Sequence, residues 1–177
     1  MSETLILVDE NDTEIGTGEK LEIHRKGLLH RCFSIFIFND NGEVLLQKRA
    51  ETKYHSGGLW TNTCCGHPTV GETTDAAAHR RLKEEMGFDC PMTEAFTFIY
   101  RAELDNGYTE HEYDHVLTGQ YDGDVTPTPE EADDYAWRSV DALHDEMNRF
   151  PDRFTVWSII AFQEMLLRNA LLTPNDA

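Results

Sequence analysis

Short apolar stretches separated by polar turns predict several strands along the chain. LILVDEND (5–12) predicts one short strand, and HRCFSIFIFNDNGEVLLQKRA (30–50) predicts two more, joined by NDNG, a strong hairpin signal. AFTFIYRAEL (95–104) and HEYDHVLTGQY (111–121) alternate with period two and are separated by DNG. DGDVTPTPEEADDYAW (122–137) is predicted to be a loop that leads to a last strand.

Two further segments are typical of helices. TTDAAAHRRLKEEMG (73–87) has Thr and Asp as caps, an Ala-rich interior and a glycine as its stop, and it follows a Gly-rich loop at 55–72. TVWSIIAFQEMLLRNALL (155–172) has the apolar spacing of an amphipathic helix. Together the elements predict an α/β domain with a mixed sheet covered by helices, and residues 1–177 fit a single domain.

The chain is strongly acidic, with 33 Asp and Glu against 15 Lys and Arg and a formal net charge of −18. Nucleic acid and anionic membranes bind basic surfaces, so neither is an expected partner. No apolar run approaches the roughly 20 residues of a membrane span, and no leader sequence is visible, so we predict a cytoplasmic protein. Because only five of the 15 basic residues are lysines, we hypothesise adaptation to high salt, which screens self-repulsion.

TNTCCGHP (61–68) has two adjacent cysteines just ahead of a histidine. A zinc site, a redox pair, a catalytic thiol and a loop with two buried sulfurs are all compatible with this stretch. The chain has four cysteines without the spacing of a disulfide framework, and a bridge between neighbours would be strained. They are Cys32, Cys64, Cys65 and Cys90. This number and spacing of cysteines favours a reducing compartment and weakens the interpretation of Cys64 and Cys65 as a redox pair.

Residues 66–88, GHPTVGETTDAAAHRRLKEEMGF, resemble the Nudix box G-x5-E-x7-R-E-U-x-E-E-x-G-U. The matching residues are Gly66, Glu72, Arg80, Leu82, Glu84, Glu85, Gly87 and Phe88. The resemblance implies a Nudix-like mixed β-sheet sandwiched between α-helices, with metal-assisted chemistry at a diphosphate.

Arg81 departs from the box, which has glutamate at this position. The change removes a metal ligand and adds a rigid bidentate phosphate donor, so the site can still hold a diphosphate but is less able to hydrolyse it. In the plainer interpretation, Arg80–Glu84 and Arg81–Glu85 are only surface ion pairs that contribute about 0.2–0.5 kcal/mol each.

TNTCCGHP, the double arginine of the box and EIHRKGLLHRCFS (22–34) together resemble the type 1 isopentenyl-diphosphate isomerases. The likeness extends from Lys20 to the terminal helix. These enzymes interconvert isopentenyl and dimethylallyl diphosphate by adding a proton at one carbon and removing one from another. The resemblance implies an isomerase of isoprenoid biosynthesis that acts on a small isoprenoid diphosphate, as a monomer or a weak homo-oligomer.

The resemblance also implies a metal centre of three histidines and two carboxylates, namely His24, His30, His67, Glu110 and Glu112. A strand places Glu110 and Glu112 on one face, where two carboxylates repel unless a cation or a proton intervenes. His24 and His30 flank Gly27, and a loop is expected to bring both to one centre.

Nitrogen and oxygen ligands suit Zn²⁺, Mn²⁺ or Mg²⁺, so the identity of this divalent metal stays open. A second ion, Mg²⁺, is expected to arrive with the diphosphate and to be held by Glu85. In so acidic a chain, paired glutamates are usually solvated surface, and His111 and His115 are competing histidines.

For the proton transfers, the resemblance implies Cys65 and Glu112, assisted by Tyr100. A thiol with a pKa near 8.5 can carry a proton in either direction, and which of the two groups is the acid stays open. Cys64 points elsewhere from an extended backbone and is predicted to pack in the interior.

Trp157 matches the aromatic residue that faces the substrate carbons in the family. A π-face stabilises a desolvated cation by about 2 kcal/mol, although the helical spacing of Trp157 is also that of a core residue. Trp60 is predicted to pack. The family's phosphate contacts match basic residues that stand out in an acidic chain, namely Lys20, Arg49, Lys53 and Arg81, whereas Arg25, Lys26 and Lys48 are alternatives as surface charges.

Two other functions compete with the isomerase. A Nudix hydrolase shares the fold and the box, but it does not call for Arg81 or for a cysteine and glutamate pair. A binding module with structural zinc would need cysteine or histidine at finger-like spacing, which Cys32 and Cys90 do not offer.

Overall fold

The computed structural model describes residues 3–53, 55–104 and 107–171. Nine strands form one mixed sheet: β1 (Thr4–Val8), β2 (Glu14–Glu19), β3 (His30–Phe38), β4 (Glu43–Arg49), β5 (Trp60–Thr61), β6 (Cys64–Gly66), β7 (Met92–Glu103), β8 (Thr109–Gln120) and β9 (Ala132–Ser139). The helices are α1 (Lys20–Lys26), α2 (Thr74–Met86), α3 (Val140–Arg149) and α4 (Val156–Leu167), with a 3-10 turn at Pro151–Arg153.

The central strand β3 has pairing partners on both sides. It runs parallel to β8 from His30↔Glu112 to Phe38↔Gln120, and antiparallel to β6 at Phe33–Ile35. β7 adds to the outer edge of β8, while β4 pairs with β5 and β9. One parallel pair among antiparallel ones confirms the predicted mixed sheet.

Both faces of β3 are buried, which explains its continuous apolar sequence. On one face, Phe33 and Ile35 pack in a cluster with Leu82 and Met86 of α2. On the other face, Phe36 and Phe38 pack in a cluster that includes residues of α3 and α4, among them Leu143, Phe162 and Met165. The sheet therefore lies between helices, as the sequence predicts.

The predicted hairpin is correct at its turn but not along its strands. The amide of Asn39 donates to the carbonyl of Glu43 over 3.0 Å, and Gly42 adopts a positive φ of 72°. Beyond the turn, β3 and β4 pair only at Phe38↔Val44 and then diverge. Local residue propensity predicts the turn, but it does not predict the other strands with which β3 and β4 pair beyond it.

Helix α2 agrees with its prediction to within one residue at each end. The side chain of Thr73 accepts from the amide of Ala76 at the N-terminus, and Gly87 ends the helix in the left-handed region at φ 79°. α4 ends at Leu167, five residues before the predicted end at Leu172. Leu172 lies outside the described residues, and so do two residues of the DNG turn at 105–107.

Five strands and α-helices of the described ranges were not predicted from the sequence, and two of them, β5 and β6, lie within the segment predicted as a Gly-rich loop at 55–72. β2 (EIGTGE) is polar and contains two glycines, and α1 has only seven residues, too few for a periodic signal. α3 follows the cap residue Ser139 and was missed. β9 begins at Ala132, inside the segment that was predicted as a loop. Within the described ranges, no helix combines the length and apolarity needed to cross a bilayer.

Candidate active site

Strand pairing places Glu112 between two side chains that are far from it in sequence. In the parallel register β3 aligns His30 with Glu112, and in the antiparallel register β7 aligns Tyr100 with the same residue. Along β8, alternate residues Glu110, Glu112 and Asp114 are buried, so three carboxyl groups face the protein interior. A single strand thus supplies the most acidic part of the site.

The two N-terminal histidines are held by backbone carbonyl groups. Nδ1 of His24 lies 2.7 Å from the carbonyl oxygen of Lys20, and Nδ1 of His30 lies 2.9 Å from that of Leu28. A carbonyl only accepts, so each Nδ1 carries a proton, and each Nε2 is turned toward the cluster. His24 lies on helix α1, which ends at Gly27 with φ 60°, and not on the loop that the sequence was taken to indicate.

Four ligand atoms converge on one point. One atom each from His24, His30, His67 and Glu112 lie within 4.8 Å of one another. Oε1 of Glu112 is 3.4 Å from Nε2 of His30 and 3.1 Å from Nε2 of His67. Oε2 of Glu110 is 3.1 Å from Nε2 of His24. This spacing is suited to a cation at the centre.

Two buried atoms of this cluster lack a hydrogen bond among the described residues, Nε2 of His30 and Oε2 of Glu110. Buried polar atoms normally have partners, and a metal ion would supply one here. The Nε2 atoms that face the cluster, the carbonyl bonds at Nδ1 behind them and the mixed nitrogen and oxygen set all fit a divalent transition metal or Mg²⁺.

The electrostatics of the cluster suit a cation among these side chains. Burial and the charge of Glu112 raise the pKa of Glu110. Burial alone would also raise the pKa of Glu112, but the neighbouring imidazoles of His30 and His67 outweigh it and hold that pKa well below its ordinary value. Burial lowers the pKa of His67 to about 4, so its imidazole is neutral at pH 7, as a metal ligand must be.

The second oxygen of Glu112 has a different partner. The hydroxyl of Tyr100 donates a short hydrogen bond to Oε2, while Oε1 faces the histidines. Burial and the charge of Glu112 raise the pKa of Tyr100 well above its ordinary value, so the phenol keeps its proton. Glu112 therefore has one oxygen at the cation point and one oxygen next to a proton donor.

The adjacent cysteines face different environments. β6 pairs with β3 at Ser34↔Cys65 and Ile35↔Cys64. Cys64 is completely buried in the core cluster under α2, which confirms the prediction that it packs. Cys65 lines the cavity described below, and burial followed by the charge of Asp114 raises its thiol pKa far above the ordinary value.

A cavity of about 330 Å³ unites most of the candidate residues. Its wall includes Cys65, Glu112 and Trp157, the candidate ligands His24, His67, Glu85 and Glu110, and the basic residues Lys20, Arg49, Lys53 and Arg81. His30 and Tyr100 lie behind the wall and contact Glu112. Every site residue predicted from the sequence is thus on this cavity or one contact away from it.

One end of the cavity is basic and aromatic. The guanidinium carbon of Arg49 lies 5.2 Å from the centre of the Trp157 ring, and the ring of His55 meets Trp157 edge-on at 5.5 Å between centroids. Nε of Arg49 is buried without a hydrogen-bond partner among the described residues. Trp60 lies outside the cavity wall and packs beside the α4 cluster, as predicted.

The Nudix-box helix contributes charges that are paired with each other. Arg81 contacts Glu84 at 2.7 Å and Glu85 at 2.5 Å, and Arg80 makes a bidentate pair with Glu72 at 2.8 Å. These contacts show that the helical ion pairs form, and Arg81 in addition faces the cavity. The first glycine of the box, Gly66, has no room for a side chain, because a Cβ would come within 2.8 Å of Phe33.

Several residues of the site were not found from the sequence. Glu131 lies between Lys53 and Arg81 and forms an ion pair with each, the latter at 3.2 Å. His55 faces Trp157, and Gln47 donates to Glu85 over 2.9 Å. None belongs to a motif; only the strand pairing of β4 with β9 brings Glu131 near.

The competing histidines have other partners. Nδ1 of His111 lies 3.0 Å from the carbonyl oxygen of Gly27, and His115 lies between Asp12 and Glu94 at 3.0 and 2.6 Å. Neither is on the cavity wall.

Comparison with known proteins finds two kinds of similarity. Residues 28–158 match the NUDIX domain. The chain is 55% identical over 157 residues to "Isopentenyl-diphosphate Delta-isomerase 2" of Photorhabdus laumondii, covering 89% of each chain. It is 50% identical over 165 residues to "Isopentenyl-diphosphate Delta-isomerase" of Serratia proteamaculans, covering 93% of this chain and 92% of the relative.

Solved structures share the fold at low identity. DR0079 from Deinococcus radiodurans superposes with a TM-score of 0.70 at 17% identity, covering 84% of this chain and 90% of that one. The MutT protein from Methanosarcina mazei has a TM-score of 0.63 at 21% identity, covering 80% and 94%. At these identities the likeness concerns the fold alone.

Proposed function

The chain belongs to the isopentenyl-diphosphate Delta-isomerases of the Nudix family, and we propose that it interconverts isopentenyl diphosphate and dimethylallyl diphosphate. The observation that carries the proposal is the position of Cys65 and Glu112. They lie on β6 and β8, the strands that flank β3 on its two sides, and both side chains reach one cavity. Isomerisation needs a proton added on one carbon and another removed elsewhere, so two separate proton-carrying groups at one cavity fit this reaction.

Four basic residues bind the diphosphate in this proposal: Lys20, Arg49, Lys53 and Arg81. They line the same cavity as the proton carriers, and the unpartnered Nε of Arg49 offers a buried donor. Guanidinium groups bind phosphate oxygens in bidentate fashion, which fixes the orientation of the substrate and not only its affinity. The hydrocarbon end then reaches Cys65 and Glu112.

The chain's residues divide the remaining tasks. Cys65 and Glu112 each hold or release one proton. The Tyr100 hydroxyl donates a hydrogen bond to Oε2 of Glu112, and this bond supports the carboxyl as its charge changes. The ring of Trp157 faces the cavity, where its π-face stabilises positive charge on carbon without acting as a nucleophile. Burial of the wall keeps water from capturing a cation-like state.

The five residues of the histidine and glutamate set, His24, His30, His67, Glu110 and Glu112, would hold one divalent metal. Glu85, which accepts from Gln47 and Arg81, would hold a Mg²⁺ that enters with the diphosphate. When bound, these ions neutralise the buried carboxylates and the diphosphate charge. Mn²⁺, Zn²⁺ and Mg²⁺ are the candidates for the first position.

The test follows two products in one assay. Purified protein with Mg²⁺ and Mn²⁺ is incubated with isopentenyl diphosphate, and the allylic isomer and released phosphate are measured together. We expect isomer without phosphate, and loss of isomer after chelation with recovery on adding metal back. Phosphate release would instead indicate a Nudix hydrolase, and neither product would favour a metal-stabilised binding module. The Cys65→Ala variant is the matched negative control.

A further inference from the structure

Asn62 lies directly behind Cys65 and is completely buried. Its Oδ1 atom is 3.0 Å from the sulfur of Cys65, a close contact for a thiol donor. The hydroxyl of Thr61 reaches the same oxygen at 3.1 Å. Cys65 lines the cavity, whereas Asn62 does not, so this contact lies on the protein side of the sulfur.

The orientation of the Asn62 amide is fixed by its other contacts. Its Nδ2 group donates to the carbonyl oxygen of Ile35 at 3.1 Å and to that of Cys64 at 2.9 Å. A carbonyl cannot donate, so a flipped amide would place Oδ1 against two other oxygens and lose both bonds. The atom that faces Cys65 is therefore the acceptor oxygen, and the sulfur must be the donor.

The other neighbour of the sulfur is a weaker partner. The hydroxyl of Ser34 is 3.8 Å from Sγ of Cys65, and its proton is used in a 2.7 Å bond to Oδ2 of Asp114. Hydrogen bonds weaken with distance, so Asn62 provides the main directional contact to the thiol. Among the described residues, the sulfur of Cys64 makes no hydrogen bond to the Asn62 side chain, and Cys64 is enclosed by the core.

We propose that Asn62 is a positioning residue for the reaction, which fixes the rotamer of Cys65 so that its sulfur faces the substrate carbons. The inference rests on the proposed function, because it assigns Cys65 a proton-transfer role. The S–H proton rests on Asn62 Oδ1 while Sγ faces the cavity. When Cys65 is the acid, the S–H turns about the Cβ–Sγ bond and passes its proton to the substrate carbon, which leaves a thiolate; in the reverse direction that thiolate takes a proton back from carbon. Asn62 is not part of the cavity wall, so it acts only through the thiol.

Kinetics of two buried variants test this role. Asn62→Ala removes the acceptor, and we expect kcat to fall by about 10- to 100-fold while KM stays within about twofold, because misplacement of a reacting group affects the chemical step. Thr61→Val is the matched control, because it deletes a hydroxyl that donates to Oδ1 of Asn62 but leaves the contact between Asn62 and the Cys65 sulfur. Its kcat should stay within about threefold of the wild-type value. An unchanged kcat in Asn62→Ala, or an equal loss in both variants, would overturn the inference.

Infrared spectroscopy of the wild-type protein tests the contact even if Asn62→Ala does not fold. The difference spectrum between wild type and Cys65→Ser isolates the S–H stretch of Cys65. We expect this band at lower wavenumber than that of a free thiol, because hydrogen bonding weakens the S–H bond. A band at the free-thiol position overturns the inference, whether or not the protein isomerises its substrate. Failure of wild-type protein to form isomer would overturn the proposed function alone.

Discussion

The hydroxyl of Tyr100 donates a short hydrogen bond to Oε2 of Glu112, while the other oxygen of that carboxylate lies 3.1 Å from His67. The two oxygens of one side chain thus contact two neighbours, one a proton donor and the other part of the histidine cluster that could hold a metal. This division results from the pairing of β7 and β8, which places Tyr100 opposite Glu112.

Replacing Tyr100 by Phe should slow the reaction and leave substrate binding nearly unchanged. In the proposed mechanism the phenol supports Glu112 during proton transfer, and such a contribution reaches about 10²-fold. We expect kcat to fall by that factor with KM within about twofold and with the metal content preserved. Measurement of kcat, KM and bound metal checks this. A normal kcat in a variant that binds metal would show that the hydroxyl takes no part in the chemistry.

The two cysteines should differ sharply on substitution. Cys65→Ala should abolish turnover, since it removes the proposed proton carrier from the cavity, and its thermal stability should stay close to wild type. Cys64→Ala should keep most of the turnover but lower the free energy of unfolding by about 1 kcal/mol, since it deletes a buried core sulfur. Isomerisation assays and urea unfolding separate the two effects. Equal loss of activity from both would contradict the assignment within the pair.

Adjacent basic residues on β4 provide a matched test of diphosphate binding. Arg49 lines the cavity, whereas Lys48 does not. Arg49→Gln should raise KM by about tenfold or more, equivalent to about 1.4 kcal/mol of binding, and Lys48→Gln should leave it unchanged. Steady-state kinetics on both variants shows whether only the Arg49 change raises KM. If the two changes raise KM alike, a general loss of positive charge would explain the effect better than a specific contact.

His55 should make the protein less stable in acid. Burial, followed by the charge of Arg49, lowers the pKa of His55 to about 3, below the value near 6.5 of the unfolded chain. Between these values the unfolded state binds a proton that the folded state does not, so stability falls as pH falls, by at most about 1.4 kcal/mol per pH unit. Urea unfolding from pH 7 to 4 should show a shallower dependence for His55→Gln than for wild type. Parallel curves would contradict this.

Added salt should stabilise the fold. With a net charge of −18, the folded chain repels itself, and KCl screens that repulsion. We expect the free energy of unfolding to rise with KCl concentration, measured by urea titration at several salt levels. A free energy that stays constant or declines would remove the support for adaptation to high salt.

The sequence by itself determined the elements whose signals are local. The caps of α2 and the spacing of the Nudix box depend on residues within one or two helical turns, and both agree with the structure. The i,i+2 spacing of Glu110 and Glu112 likewise predicts their common face, because a strand alternates with period two, whereas the burial of that face came from the structure. The family resemblance supplied the candidate residues that the cavity gathers.

Only the tertiary structure decided which distant residues meet. Glu131 joins Lys53 and Arg81 from 50 residues beyond the latter, and Asn62 meets Ile35 and Cys65 only because β6 pairs with β3. His24 reaches the cluster from a seven-residue helix that no periodic pattern could reveal. Such contacts depend on strand register and on the packing of elements far apart in the chain. Local residue preferences do not specify which distant strands pair or which elements pack together.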